Sequence, residues 1–114
     1  MAEAPGQPTI STHVLDTERG APAEGIRVTL YRLDVGAAPI RMTQALTDSD
    51  GRVRDLLERP LAAGEYRLEF EVGREDGEGF FRRLALDLSI DDVTRSYHVP
   101  LLLGPFSMTT YRGS

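Results

Sequence analysis

The chain has 114 residues, of which 40% are hydrophobic and 27% charged, and its net charge at pH 7 is −5. This length and composition fit one globular domain of ordinary size. Acidic residues and arginines are interspersed, so no basic patch is available for a phosphate backbone and no nucleic-acid partner is expected. No apolar run approaches the length that crosses a bilayer, and no membrane partner is expected either.

The types of side chain present exclude several kinds of catalytic and binding site. There is no cysteine, which excludes disulfides and thiol catalysis. All 13 basic residues are arginine, which excludes a lysine Schiff base and a P-loop. No nucleophile elbow, His-Glu-x-x-His motif or glycine-rich phosphate loop is present, and the spacing of the histidines gives no positive signal for zinc. The number of acidic residues alone does not exclude glycosidase chemistry by a pair of carboxylates.

The chain begins with residues 1–7, which predict a short flexible lead. This segment has neither the basic region nor the apolar region of a secretory signal, so we expect a cytoplasmic protein. Residues 8–114 contain no linker, internal repeat or low-complexity stretch. We therefore expect them to form a single domain.

Alternation of apolar and polar residues is the dominant pattern along this domain, and it indicates strands with one buried face. The pattern is clearest in three segments, 26–31, 65–72 and 83–90. Weaker strand patterns fit at about 9–15, 40–47, 96–103 and 107–112, and a short strand can follow the turn at 48–51. Turn residues separate these segments. Seven or eight short strands of this kind predict an all-β protein, an antiparallel β-sandwich.

Two segments depart from the simple pattern. Residues 55–59 can form one helical turn before Pro60. Pro100 lacks a backbone donor, which predicts that its strand lies at a sheet edge or is bulged there. Both faces of the strand around Pro100 are apolar, and a single sandwich buries only one of them. We therefore expect another subunit to cover the second face.

The candidate site residues on chemistry alone are the two histidines, His13 and His98. A lone histidine is more often structural, but both lie in apolar strands, and imidazole is the side chain best suited to exchange a proton near neutral pH. Arg52 follows the Asp-rich turn at 48–51 and would by default be solvated. That turn lacks the later ligands of a calcium loop, so no metal is expected there. Arg112 fits equally well a rim charge or an interface ion pair.

Several motifs, in order and at suitable spacing, resemble the 5-hydroxyisourate hydrolases, the transthyretin-like enzymes of urate breakdown. The most specific is the terminal Tyr-Arg-Gly-Ser, which separates these hydrolases from the thyroid-hormone carriers of the same fold. Three departures occur: the approach to that motif at 104–110 differs, the segment 73–79 is short and poor in helix formers, and Arg82 stands where proline is usual. The matching motifs are Ser-Thr-His-Val-Leu-Asp-Thr at 11–17, Gly-Ala-Pro-Ala-Glu-Gly at 20–25, Thr-Asp-Ser-Asp-Gly-Arg at 47–52, Tyr-His-Val-Pro-Leu-Leu-Leu at 97–103 and Tyr-Arg-Gly-Ser at 111–114.

The resemblance implies a transthyretin-like sandwich of seven to eight strands. It also implies a homotetramer with active sites at the dimer–dimer interface, and hydrolysis of 5-hydroxyisourate to 2-oxo-4-hydroxy-4-carboxy-5-ureidoimidazoline without a cofactor. Under this reading His13 and His98 activate water and return its proton, and Arg52 binds substrate and stabilises negative charge. Tyr111 adds a hydroxyl contact, while Arg112 and the Ser114 carboxylate orient nearby groups.

Two other functions remain open. The first is a transthyretin-like carrier that binds a small planar ligand without turning it over. The second is an adhesion or carbohydrate-binding sandwich, which is less favoured because the chain has no tryptophan for stacking on a sugar.

Overall fold

The computed structural model describes residues 7–74, 76–77 and 79–113. The regular secondary structure in these ranges is entirely strand, and none of the described residues belongs to a helix that could cross a membrane. The strands are β1 (Ile10–Asp16), β2 (Ala21–Pro22), β3 (Arg27–Leu33), β4 (Ile40–Leu46), β5 (Arg52–Val53), β6 (Gly64–Glu71), β7 (Arg83–Ile90), β8 (Tyr97–Leu103) and β9 (Met108–Thr110).

These strands form two sheets that face each other as a sandwich, which confirms the predicted fold class. The first sheet has the order β2-β1-β8-β9, and β5 also pairs with β1. The second sheet has the order β4-β3-β6-β7 and is antiparallel throughout. In the first sheet β1 and β8 run parallel, in register from Ile10–Tyr97 to Asp16–Leu103. This parallel pair brings residues from opposite ends of the sequence side by side.

The core between the sheets follows from the alternation seen in the sequence. In β6, Tyr66, Leu68 and Phe70 are fully buried, while the residues between them are not. In β1 the same parity buries Ile10 and Val14. Full burial of an apolar side chain of this size contributes roughly 1.5–3 kcal/mol to folding. The inward faces therefore stabilise the sandwich, and the outward faces are available for contacts with ligands or other chains.

The prediction of a helical turn at residues 55–59 is wrong. No helix forms there, because the Asp55 carboxylate accepts the backbone N–H groups of Leu57 and Glu58 and folds the chain into a local turn. This side-chain interaction competes with the helical hydrogen bonds of the backbone. Leu56 and Leu57 are buried in the core, so the segment closes one end of the sandwich.

The expectation that Pro100 lies at an edge or a bulge is also wrong. Its strand, β8, lies between β1 and β9, and the register with β1 is continuous. The Pro100 carbonyl faces the β9 side, where the Thr110 hydroxyl donates to it at 2.8 Å. The N and O atoms of one strand residue point to the same side, so the missing N–H also faces β9. It falls just beyond the last β8–β9 pair, Leu101–Thr110, where no ladder bond is lost.

Candidate active site

The outward face of the first sheet carries both histidines. Because Ile10, Thr12 and Val14 are buried, the alternate residues of β1, including Ser11 and His13, point outward. In the parallel register Ser11 lies opposite His98 on β8. The two imidazoles therefore share one face of one sheet, although they are far apart in sequence.

Arg52 joins them from the other side of β1. It begins β5 and pairs with His13. The preceding turn is fixed by the Asp48 carboxylate, which accepts the N–H groups of Asp50 and Arg52, each at 2.9 Å, and these bonds hold the pKa of Asp48 below its usual range. The Gly51 carbonyl accepts the Val14 N–H at 2.7 Å, which docks the turn onto β1. The sequence prediction that His13, His98 and Arg52 converge agrees with this arrangement.

A shallow depression of about 250 Å³ marks the point where these strands meet. Its polar lining contains two guanidinium groups and one imidazole and no carboxylate, although the whole chain carries a net charge of −5. Such a lining suits a small, oxygen-rich or anionic ligand. The lining residues are Ser11, Thr12, Arg52, Arg54 and His98.

Each histidine has one ring nitrogen in a hydrogen bond. His13 Nε2 lies 2.9 Å from the Asp50 carbonyl oxygen. A carbonyl can only accept, so Nε2 carries the proton and donates, and Nδ1 is the bare nitrogen of the neutral ring. His98 Nδ1 lies 2.9 Å from Ser11 Oγ. Within the described part of the chain, the second nitrogen of each ring has no hydrogen-bond partner, so it is available to water or a ligand.

The electrostatics of the depression keep His98 neutral. Burial of the ring lowers the pKa of His98 below its ordinary value of 6.5, and the neighbouring positive charges of Arg52 and His13 lower it further. A histidine is uncharged above its pKa, so His98 is an uncharged imidazole at pH 7 and can accept a proton there. A reaction that requires this form should decline only as the pH falls below about 6.5.

Replacing Arg52 with glutamine is expected to raise the pKa of His98, because one of the charges that oppose its protonation disappears. The pKa should remain below 6.5, since burial is the larger cause and stays in place. NMR titration of the two imidazoles measures the change, with a His13 variant assigning the signals. Arg41→Gln, an exposed arginine on β4 of the other sheet, is the matched control and should leave the titration unchanged. An unaltered His98 titration in Arg52→Gln would place the guanidinium away from the ring.

The segment after β9 also lies beside His98. The Gly113 N–H donates to the His98 carbonyl at 2.7 Å. A Cβ at position 113 would lie 3.0 Å from His98 Cδ2, a tight contact that favours glycine. Tyr111 and Arg112 are exposed and do not line the depression. Ser114 lies outside the described residues, so the structure does not bear on its predicted role.

Sequence reasoning alone missed Ser11 and Arg54 as site residues. A signal existed for both, because each is two positions from a predicted residue and therefore shares its side of a strand: Ser11 with His13, and Arg54 with Arg52. Their importance depends on which strands are neighbours, and strand order could not be read from the residues.

A larger cleft, of about 610 Å³, opens at the end of the sandwich where β1 and β8 finish. Ion pairs occupy its charged wall: Arg74 binds Glu18 and Asp76, each at 3.1 Å. None of the residues predicted from the sequence lines it. The smaller depression is the better candidate for catalysis, because it contains an unpaired imidazole nitrogen beside the Arg52 guanidinium, for which the described residues provide no ion-pair partner.

A two-sheet sandwich of this kind is the fold of the transthyretin-like proteins. The chain belongs to the HIUase/Transthyretin family, whose profile matches residues 10–113.

Individual relatives agree with this assignment. The chain is 42% identical to a 5-hydroxyisourate hydrolase of Deinococcus radiodurans, and the match covers 96% of this chain and 98% of that one. The structure of the Klebsiella pneumoniae 5-hydroxyisourate hydrolase superposes with a TM-score of 0.82 and 37% identity, covering 94% of this chain and 99% of that one. Transthyretin from Sparus aurata has a TM-score of 0.83 at 24% identity, over 91% and 95% of the two chains, which is a similarity of fold.

Proposed function

We propose that this protein hydrolyses 5-hydroxyisourate to 2-oxo-4-hydroxy-4-carboxy-5-ureidoimidazoline, a step of urate degradation. The observation that carries the proposal is the meeting of His13, His98 and Arg52 on one outward face of the sheet. The hydrolases among the relatives support the choice of substrate. A cytoplasmic location stays a prediction from the sequence.

The reaction opens a cyclic amide. A water oxygen bonds to the ring carbonyl carbon, the C–N bond breaks, and the proton released by the water has to reach the departing nitrogen. Two imidazoles with an unpartnered nitrogen each can accept that proton and return it. General acid–base assistance of this kind contributes roughly 10²–10⁴-fold.

Arg52 provides the electrostatic part of the mechanism. Its guanidinium donates to the oxygens of the planar substrate and to the oxyanion that develops on the attacked carbonyl. The register pairing of Arg52 with His13 and the effect of its charge on His98 support this role. We propose in addition that Tyr111 contributes a hydroxyl contact to the substrate, and that Arg112 and the Ser114 carboxylate orient neighbouring groups.

An ultraviolet time course tests the proposal. Urate is converted by urate oxidase in the cuvette, and the decay of freshly formed 5-hydroxyisourate is followed with and without this protein. We expect decay well above the spontaneous rate. Decay at the spontaneous rate, together with saturable binding of a stable purine-like analogue, would instead support a carrier function.

We further propose that the protein is a homotetramer with its sites at the dimer–dimer interface. Two features support this. The long strand β7 lies at the edge of the second sheet, and an uncovered edge of that length is a liability. The outward face of the first sheet also carries apolar residues that one sandwich leaves partly exposed, among them Leu15 and Leu102.

Light scattering during gel filtration is expected to give about four times the 12.6 kDa of one chain. Leu102→Glu should split the assembly, because a charge buried without a partner in an apolar interface is costly. Arg41→Glu, on the outward face of the other sheet, is the matched control. A monomeric mass for the unmodified protein would contradict the proposal.

A further inference from the structure

We infer that Ser11 is a positioning residue for the reaction: its hydroxyl holds Nδ1 of His98 in both protonation states and thereby makes Nε2 the nitrogen that exchanges the proton. This inference rests on the proposed function for its kinetic consequence, while its structural content can be measured without any substrate.

The first support is the geometry of the contact. Ser11 and His98 are register partners on the parallel strands β1 and β8, and Ser11 Oγ lies 2.9 Å from His98 Nδ1. Within the described residues this is the one side-chain hydrogen bond that His98 makes. Both residues also line the basic depression. The contact is therefore part of the site and joins the two central strands of the sheet.

The second support is the chemistry of a hydroxyl. Serine can donate to a bare Nδ1, and it can accept from a protonated Nδ1 by rotating its O–H bond. When Nε2 gains or loses the exchanged proton, Nδ1 keeps its own proton, and the hydroxyl accepts from it in both states. The Asp50 carbonyl that binds His13 has no such freedom, because it accepts only and holds a single tautomer.

The third support is the confinement of the ring from its other side. The Gly113 N–H donates a hydrogen bond to the His98 carbonyl. The Gly113 Cα lies so close to the ring that an added Cβ would be 3.0 Å from His98 Cδ2. With Nδ1 held by Ser11 and Cδ2 bordered by Gly113, the ring cannot flip without losing a contact. Nε2 is left as the nitrogen with no hydrogen-bond partner in the described part of the chain.

The test compares Ser11→Ala with Ser11→Thr, which keeps a hydroxyl. We expect Ser11→Ala to lower kcat by about 10- to 100-fold with little change in KM, as is typical when a group that orients a reacting side chain is lost. We expect Ser11→Thr to retain kcat within about threefold. Ser96→Ala is the matched control, because that hydroxyl accepts a backbone N–H from Thr9 at the end of the same strand pair and does not touch the imidazole.

The second readout is the ¹⁵N chemical shifts of the His98 ring, which report the tautomer directly. Ser11→Ala should change the ratio of the two tautomers at neutral pH, whereas Ser11→Thr and Ser96→Ala should not. Unchanged shifts in Ser11→Ala would overturn the inference, as would a wild-type kcat in that variant. If the unmodified protein does not hydrolyse 5-hydroxyisourate, the proposed function fails, and the ¹⁵N shifts still decide whether Ser11 positions His98.

Discussion

His13→Gln is expected to lower kcat/KM for 5-hydroxyisourate by about 10²–10⁴-fold without unfolding the protein. The imidazole donates through Nε2 to the Asp50 carbonyl and keeps a bare Nδ1 for the proton of the attacking water. A glutamine amide can preserve the donor to Asp50, but it is not a base. The loss of rate should therefore come from proton transfer, with the structure of the turn preserved.

His13→Ala separates these two contributions. It removes the base and also the hydrogen bond that holds the turn at 48–51, so its unfolding midpoint should fall further than that of His13→Gln. Steady-state kinetics and chemical denaturation of both variants measure the difference. Near-normal turnover in both would remove His13 from the mechanism.

Gly51→Ala is expected to damage both stability and activity. Gly51 has φ +77°, and a left-handed conformation costs an L-residue about 1–2 kcal/mol. A Cβ there would also overlap the Val14 carbonyl oxygen on β1, and overlap of this kind costs a further 1–3 kcal/mol or so. Relief requires the turn to move away from β1. Because the turn carries the Asp50 carbonyl and Arg52, activity should fall with it.

Gly36→Ala is the matched control for this change. Gly36 has φ +76°, but an added Cβ meets nothing within 4 Å. This variant should lose only the conformational term, about 1–2 kcal/mol, and should keep full activity. Urea denaturation and turnover measurements on both variants separate strain from displacement. Equal losses of activity in the two would show that the docking of the turn on β1 is not required.

The sequence predicted most of the fold because alternation reports burial directly. The strongest patterns correspond to β3, β6 and β7, each of which places one face against the core. The predictions at 55–59 and at Pro100 failed for a different reason. Each outcome depends on one local interaction. At 55–59 the Asp55 carboxylate accepts two backbone N–H groups. At Pro100 the pairing with β9 ends one residue before a donor from Pro100 would be needed.

The candidate site was predictable only in part. The two histidines were candidates on their chemistry, and the resemblance added a role for Arg52. The convergence of the three residues follows from the strand order. Ser11 could not be found in this way, because its contact joins residues 87 positions apart through the register of β1 on β8. A shift of that register by one residue would point the hydroxyl to the other face. The same limit applies to Arg54, whose side chain matters only because the depression forms beside it.

The parallel pairing of β1 with β8 also has a consequence for synthesis on the ribosome. β1 emerges well before its partner β8 and the Gly113 contact. Pairing between segments so distant in sequence is slow, because a long loop must close first. Until residue 113 has left the exit tunnel, the nascent chain can build the β3–β6–β7 sheet but not the proton-exchanging pair. Catalytic competence should therefore appear only once β8 and Gly113 are free of the tunnel.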